Sequence, residues 1–222
     1  MTQTQRRKLI PEMEGPMARW YAKQRGSAPQ LAGYRRQAAA LAADLPAGAT
    51  VLEVAPGPGY FSIELARLGF KVSGLDVSHT FVELATERAR AEGVPVAFRQ
   101  GDVAALPFAD DSFDVVVCQA AFKNFVDPVR ALDEIHRVLR PGGVAIIQDL
   151  NRGATADDIR ADVAGMGLNR FNGAVTRISL GGLKRRAYAA SDFERVASDS
   201  AFHGSRTRAD GMLLEVRLTK AA

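Results

Sequence analysis

Between Thr50 and Leu150 the chain keeps switching between short, continuous apolar runs and runs with helical spacing, and turn or capping residues mark most of the switches. "TVLEV" reads as a buried strand and "YFSIELARLG" as a helix with Phe61, Ile63, Leu65 and Leu68 on its apolar face and Gly69 as its stop. "KVSGLDV" is a second strand. Ser78 is placed to cap the helix "HTFVELATERARAEG", which Gly93 ends. "PVAFRQGD" is a third strand. "FDVVVCQA" is a fourth, too continuously apolar to sit at an edge. Asp127 caps and Pro128 opens the helix "VRALDEIHRVL". "RPGG" is expected to stop it before the fifth strand, "VAIIQDL". Strands that alternate with helices in this way predict a parallel sheet covered on both faces.

The ends of the chain read differently. Ser191 and Glu194 have the spacing of a capping box for "DFERVASDSAF". In "SRTRADGMLLEVRLTK", Asp210-Gly211 separates two strand-like runs, which predicts an antiparallel hairpin and brings the expected strands to seven. Before Thr50, "PMARWYAKQR" and "LAGYRRQAAALAADL" have helical spacing. "TADDIRADVAGMG" is expected to be helical, whereas glycines interrupt the basic, apolar stretch from Arg170 to Tyr188 and leave it unassigned. The expected organisation is one domain over 1–222: a helical cap over 1–47, a core over 48–150, a lid insertion over 151–190 and a closing helix and hairpin over 191–222.

The 222 residues can bury a full core, and 47% hydrophobic with 24% charged residues is an ordinary globular balance. No apolar run reaches the length of a membrane span, and the polar start lacks the apolar stretch of a secretion signal, so a cytoplasmic protein is expected. One cysteine, Cys118, permits no internal disulfide and cannot by itself supply a cysteine-based metal site; no metal site is expected. Charge is uneven: residues 51–150 carry nine basic and fourteen acidic side chains, whereas basic residues exceed acidic ones on both flanks. An acidic middle suits a cationic ligand. The basic flanks suit either an anionic substrate or plain solvation.

The turn after the first strand carries the chemistry. In "VLEVAPGPGY" an acid, Glu53, stands two residues before a small one, Ala55, and Gly57 and Gly59 follow. Glycines here let a ligand approach the backbone, and the next helix offers free N–H groups. The dinucleotide-binding pattern wants a third glycine where Ser62 stands, and no Gly-Lys-Ser/Thr triphosphate loop is present. Glu53-Val-Ala55-Pro-Gly57-Pro-Gly59 instead resembles the acid-x-Gly-x-Gly-x-Gly motif of the class I S-adenosylmethionine-dependent methyltransferases, with Ala55 in place of the first glycine. "GLDVS", "GDVAALPFADDSFDVVV" and "ALDEIHRVLRPGGVAII" resemble the family's later blocks, in the same order. The nearest likeness is to the small-molecule group that includes the ubiquinone/menaquinone-biosynthesis C-methyltransferases.

That resemblance implies a Rossmann-like, doubly wound α/β fold and S-adenosyl-L-methionine as cofactor. It places Glu53, Ala55, Gly57 and Gly59 at the amino-acid end, Asp76 on the ribose hydroxyls with Val77 beside it, and Asp102 with Val103 at the adenine. Gln119 would meet the methionine amine through its backbone, and Tyr21 in the cap would close over the site. Lys123 and Asn124, in "AAFKNFVDP", are the candidates for facing the methyl acceptor.

Other readings compete. Lys123 could be a solvated loop lysine, Asp102 a plain turn cap and Asp149 a loop cap. Tyr21 and Tyr34 could each close over the site or belong to the core. His136 reads as a partly buried surface histidine, His79 as rim or solvent-exposed, His203 as structural, and Cys118, preceded by Val117 rather than proline, as a buried strand residue. No general base stands out. The expected activity is methyl transfer to a small molecule. A nucleic-acid methyltransferase is disfavoured because the fourth strand ends Cys-Gln-Ala-Ala, and Ser62 with the hairpin disfavours a nicotinamide oxidoreductase. A non-catalytic S-adenosylmethionine-binding protein stays open, as do oligomeric state and acceptor identity.

Overall fold

The structure is a computed structural model and describes residues 12–165 and 170–222. The first eleven residues of the expected cap, and residues 166–169 of the expected lid, lie outside the described residues.

Seven strands form one sheet: β1 (Thr50–Val54), β2 (Lys71–Asp76), β3 (Val96–Gln100), β4 (Phe113–Gln119), β5 (Leu139–Leu150), β6 (Arg206–Asp210) and β7 (Leu213–Thr219). Their order is β3-β2-β1-β4-β5-β7-β6, with β7 antiparallel to both β5 and β6. The predicted parallel core and closing hairpin are both present, and the apolar β4 lies between β1 and β5. Gly211, at φ +52, lies in the two-residue connection between β6 and β7.

Eight α-helices, α1 (Gly15–Arg25), α2 (Ala28–Ala42), α3 (Tyr60–Arg67), α4 (His79–Ala91), α5 (Pro128–Val138), α6 (Ala156–Gly165), α7 (Arg170–Lys184) and α8 (Ala190–Ser198), and two single 3-10 turns, Val103–Ala105 and Phe122–Asn124, complete the described chain. Alternation along the strands builds two cores. Val51, Val115, Val117 and Ile146 pack with Phe61 and Leu65 of α3 and Ala38 of α2. Leu52, Val54, Val116, Cys118 and Ile147 point the other way and pack with Leu132 and Ile135 of α5 and Phe193 of α8. Both faces of the central strands are therefore dry, which is why they read as unbroken apolar runs.

Several capping signals hold. Ser78 Oγ accepts from Phe81 N at 3.1 Å, and Asp127 Oδ1 accepts from Arg130 N at 3.1 Å. Three expectations need correction. α8 begins at Ala190, so Ser191 and Glu194 form no capping box; Asp192 takes that role, accepting the Ala189 N–H at 3.1 Å. "RPGG" does not separate helix from strand. β5 runs through it from Leu139, because Gly142 N and Gly143 O bond to Lys220 beyond the end of β7. Leu68 falls past the end of α3 and is 49% exposed.

The unassigned Arg170–Tyr188 stretch contains α7. Gly181 and Gly182 lie in its last turn. A Cβ on Gly173 would stand 3.6 Å from Val163 of α6, so that glycine lies at the contact between the two helices.

Candidate functional site

The strand order reverses between β1 and β4, and in an open parallel sheet ligands bind beyond the carboxyl ends of the strands at such a point. The glycine turn lies there. Ala55 has φ +56, Gly57 φ +55 and Gly59 φ +78, so three left-handed residues fold the backbone tightly between β1 and α3. The glycines serve different ends. A Cβ on Gly59 would stand 2.7 Å from Ala85 Cβ and 2.8 Å from Phe98 Cζ, so this glycine permits close packing. A Cβ on Gly57 would meet nothing within 4 Å, so that position faces open space.

Two buried carboxyls brace the turn. Asp76 Oδ2 accepts from Gly57 N at 2.9 Å, and Asp76 Oδ1 accepts from Ser78 N at 2.9 Å. Burial raises the Asp76 pKa, and these hydrogen bonds only partly offset it. Glu53, 3% exposed, accepts a hydrogen bond from Ser62 Oγ. Ser62, which breaks the dinucleotide pattern, is thus the partner of the motif's acid. Burial still dominates and pushes the Glu53 carboxyl up to about 7.

Beside the turn a cleft of about 480 Å³ opens, within the usual range for small-molecule sites. Five expected site residues line it: Ala55, Val77, Asp102, Val103 and Asn124. Asp102 is also a cap, its Oδ1 accepting from Ala104 N at 2.9 Å, so the structural and lining positions coincide. The wall after β3 is held by α5: Glu134 Oε2 accepts from Leu106 N at 2.7 Å, and Arg137 donates to the Leu106 and Phe108 carbonyls.

Sequence reasoning missed Glu12, Asp127 and Arg130 on the cleft wall. Asp127 has a visible signal, since it caps the helix after the fourth strand, and Arg130 lies in that helix's first turn, but a helical pattern does not say that either faces a cleft. Glu12 has no such signal, and neither does Glu14, which lies off the cleft: its two oxygens accept the His79 and Thr80 N–H groups at 2.8 and 3.0 Å, docking the start of α1 on the N-terminus of α4.

Lys123 is not a solvated loop residue. It is 8% exposed and points inward; its Nζ donates to Asp149 Oδ1 at 2.8 Å and to the Ala120 carbonyl. Asp149 Oδ2 also accepts the Lys123 N–H at 2.9 Å. The ion pair therefore ties the loop after β4 to the end of β5, while the next residue, Asn124, faces the cleft.

The remaining candidates lie off the cleft. Tyr21 packs edge-on against Phe81, and Tyr34 stacks on Tyr60 and accepts from Arg25. His136 packs against Phe202, the His79 side chain is 63% exposed, and Cys118 is fully buried. Among the described residues no cluster of side chains has the makings of a metal site, and no helix is long and apolar enough to cross a membrane.

Comparison with known proteins gives this geometry a context. Residues 52–147, which run from β1 into β5, match the family model described as a methyltransferase domain. The chain is 42% identical over 118 residues to a demethylmenaquinone methyltransferase of Deinococcus radiodurans, covering 52% of this chain and 48% of that one. It is 39% identical over 123 residues to the methyltransferase GfsG of Streptomyces halstedii, covering 54% and 44%. It spans about half the length of these curated relatives. Among solved structures, a putative S-adenosylmethionine-dependent methyltransferase from Methanococcus maripaludis superposes with a TM-score of 0.72 at 20% identity, covering 97% of each chain. The span from β1 into β5 is therefore similar to methyltransferase domains, and the chain as a whole shares the fold of the solved methyltransferase.

Proposed function

We propose that the protein transfers a methyl group from S-adenosylmethionine to a small-molecule acceptor. The observation that carries this reading is the pairing of the glycine turn with the cleft: Gly57 presents bare backbone to open space, and Asp102 and Val103 line the cleft beside it. The residues present fit the cofactor. The Glu53 carboxyl suits its cationic amino-acid end. Asp76 has spent one lone pair of each oxygen on a backbone N–H and keeps a second on each for the ribose hydroxyls. Asp102 suits the adenine amino group, and Val77 and Val103 give the adenosine apolar surface.

The cofactor, when bound, supplies an already activated methyl group. The protein's own work is then largely positioning, which can supply several kcal/mol without a strong base, on the order of 7–11 in well-oriented systems. Asn124, on the cleft wall, is the candidate for orienting the acceptor. Lys123 acts on that loop from behind, through Asp149.

Demethylmenaquinone, named for the Deinococcus radiodurans relative, is a natural first acceptor to test. Incubating the protein and methyl-labelled cofactor with a metabolite extract, followed by mass spectrometry, tests the activity without prior choice. Calorimetric binding of S-adenosylhomocysteine with no label transfer to any acceptor would leave a binding protein rather than an enzyme.

A further inference from the structure

One row of polar side chains crosses the sheet. Gln119 in β4 pairs with Gln148 in β5, and Gln148 pairs with Glu215 in β7. Val117, two residues before Gln119, is the register partner of Glu53, so the row starts on the sheet face that carries the motif's buried acid. Gln119 Nε2 donates to Gln148 Oε1 at 3.1 Å, and Gln148 Nε2 donates to Glu215 Oε2 at 2.8 Å. Beyond it, Arg217 donates from Nε to Glu215 Oε1 at 3.0 Å and from a terminal nitrogen to Asp44 at 3.0 Å.

The order of donors and acceptors in this row is forced. An ionised carboxylate can only accept, so Gln148 must turn its NH₂ toward Glu215 and its oxygen toward Gln119. Gln119 must then spend its NH₂ on Gln148. Its own oxygen is the end of the amide left for a ligand. The direction is set at the far end, by Glu215, whose charge Arg217 supports.

We propose that Gln148 and Glu215 are positioning residues that fix the Gln119 amide with its oxygen presented to the cofactor's amino-acid end, where it accepts from the ammonium group. This inference rests on the cofactor reading above. It concerns a side chain, whereas the sequence resemblance pointed only to the backbone at this position.

The row also provides a test that reverses its polarity without removing atoms. In Glu215→Gln the new amide oxygen still accepts from Arg217, which leaves its NH₂ facing Gln148. Gln148 must turn over, and so must Gln119, which then offers NH₂ to the ammonium. Adding Gln148→Glu restores the original direction, because the new carboxylate accepts from both neighbours.

Calorimetry on the full chain would measure two ligands, S-adenosylhomocysteine and its analogue lacking the α-amino group. Glu215→Gln is expected to weaken S-adenosylhomocysteine binding about tenfold, which is about 1.4 kcal/mol. Binding of the deaminated analogue should be unchanged, and Gln148→Glu/Glu215→Gln should recover the loss. Unchanged S-adenosylhomocysteine affinity in the single variant, an equal loss for both ligands, or no recovery in the double variant would each overturn the proposal. A wild-type protein that binds neither ligand would instead fail at the cofactor reading, and this inference would fall with it.

Discussion

Replacing Lys123 by methionine separates a loop anchor from an acceptor-facing group. The Lys123 and Asp149 side chains are 8% and 5% exposed, so the ion pair is shielded from water. Removing one partner of such a pair leaves an uncompensated buried charge and costs about 3–5 kcal/mol. Two features place Lys123→Met at the lower end. Methionine fills most of the lysine stem's space, and the Asp149 carboxylate keeps the N–H groups of Lys123 and Leu150 as partners at 2.9 and 2.7 Å. Asp149→Ala should cost more, because it orphans two backbone donors as well as the ammonium. Urea unfolding at neutral pH gives the comparison: a lower midpoint with an unchanged slope reads directly as lost stability. Cofactor affinity in the folded fraction should fall only modestly. If Lys123→Met unfolds within 1 kcal/mol of the wild type, a scale set by surface substitutions of about 0.5 kcal/mol, the anchoring argument is wrong. An acceptor contact for Lys123 would then be the better reading.

The sequence showed the strand–helix frame because each signal there is local. Ser78 and Asp127 cap within three residues, and the central strands are apolar on both faces. The glycine turn was legible for the same reason: positive φ at Gly57 and Gly59 is a backbone demand met within one loop. What stayed hidden depends on residues far apart in the chain. Lys123 finds Asp149 twenty-six residues later, and Glu14 finds the start of α4 sixty-five residues later. A lysine in a loop reads as solvated unless its distant partner is known. The extension of β5 through "RPGG" has the same origin, since Gly142 and Gly143 bond to Lys220 from the other end of the chain. α7 was obscured differently: glycine lowers helix propensity by about 1 kcal/mol, and the contact of Gly173 with α6 is tertiary. The site was therefore legible as a turn and an acid pattern, whereas the groups that hold its walls were not.

Three further perturbations test the site. Ala55 holds φ +56, a conformation that costs a residue with a Cβ about 1–2 kcal/mol, so Ala55→Gly should stabilise the fold by roughly 0.5–1 kcal/mol after glycine's entropic cost; a lower midpoint in thermal unfolding would contradict that. Gly59→Ala should destabilise by more than 2 kcal/mol, since backbone strain adds to contacts of 2.7 and 2.8 Å, whereas Gly57→Ala carries only the strain and should instead weaken S-adenosylmethionine binding; equal stabilities for the two variants would count against the division of roles. The last concerns pH. Burial lifts Glu53 from an ordinary 4.5 to about 7. Between those values the folded protein keeps a proton that the unfolded chain has released, so stability falls as pH rises through this window, by roughly 3 kcal/mol in all. Binding a cation beside Glu53 favours the carboxylate, so cofactor affinity should rise with pH up to about 7 and binding below it should release a proton. Glu53→Gln removes the carboxylate and with it this part of the pH dependence, whatever the ligand's own ionisation adds. Calorimetry at pH 6 and pH 8, in buffers of different ionisation enthalpy, reads both affinity and proton release. An identical pH profile in Glu53→Gln would mean that the buried acid does not face the cofactor's charge.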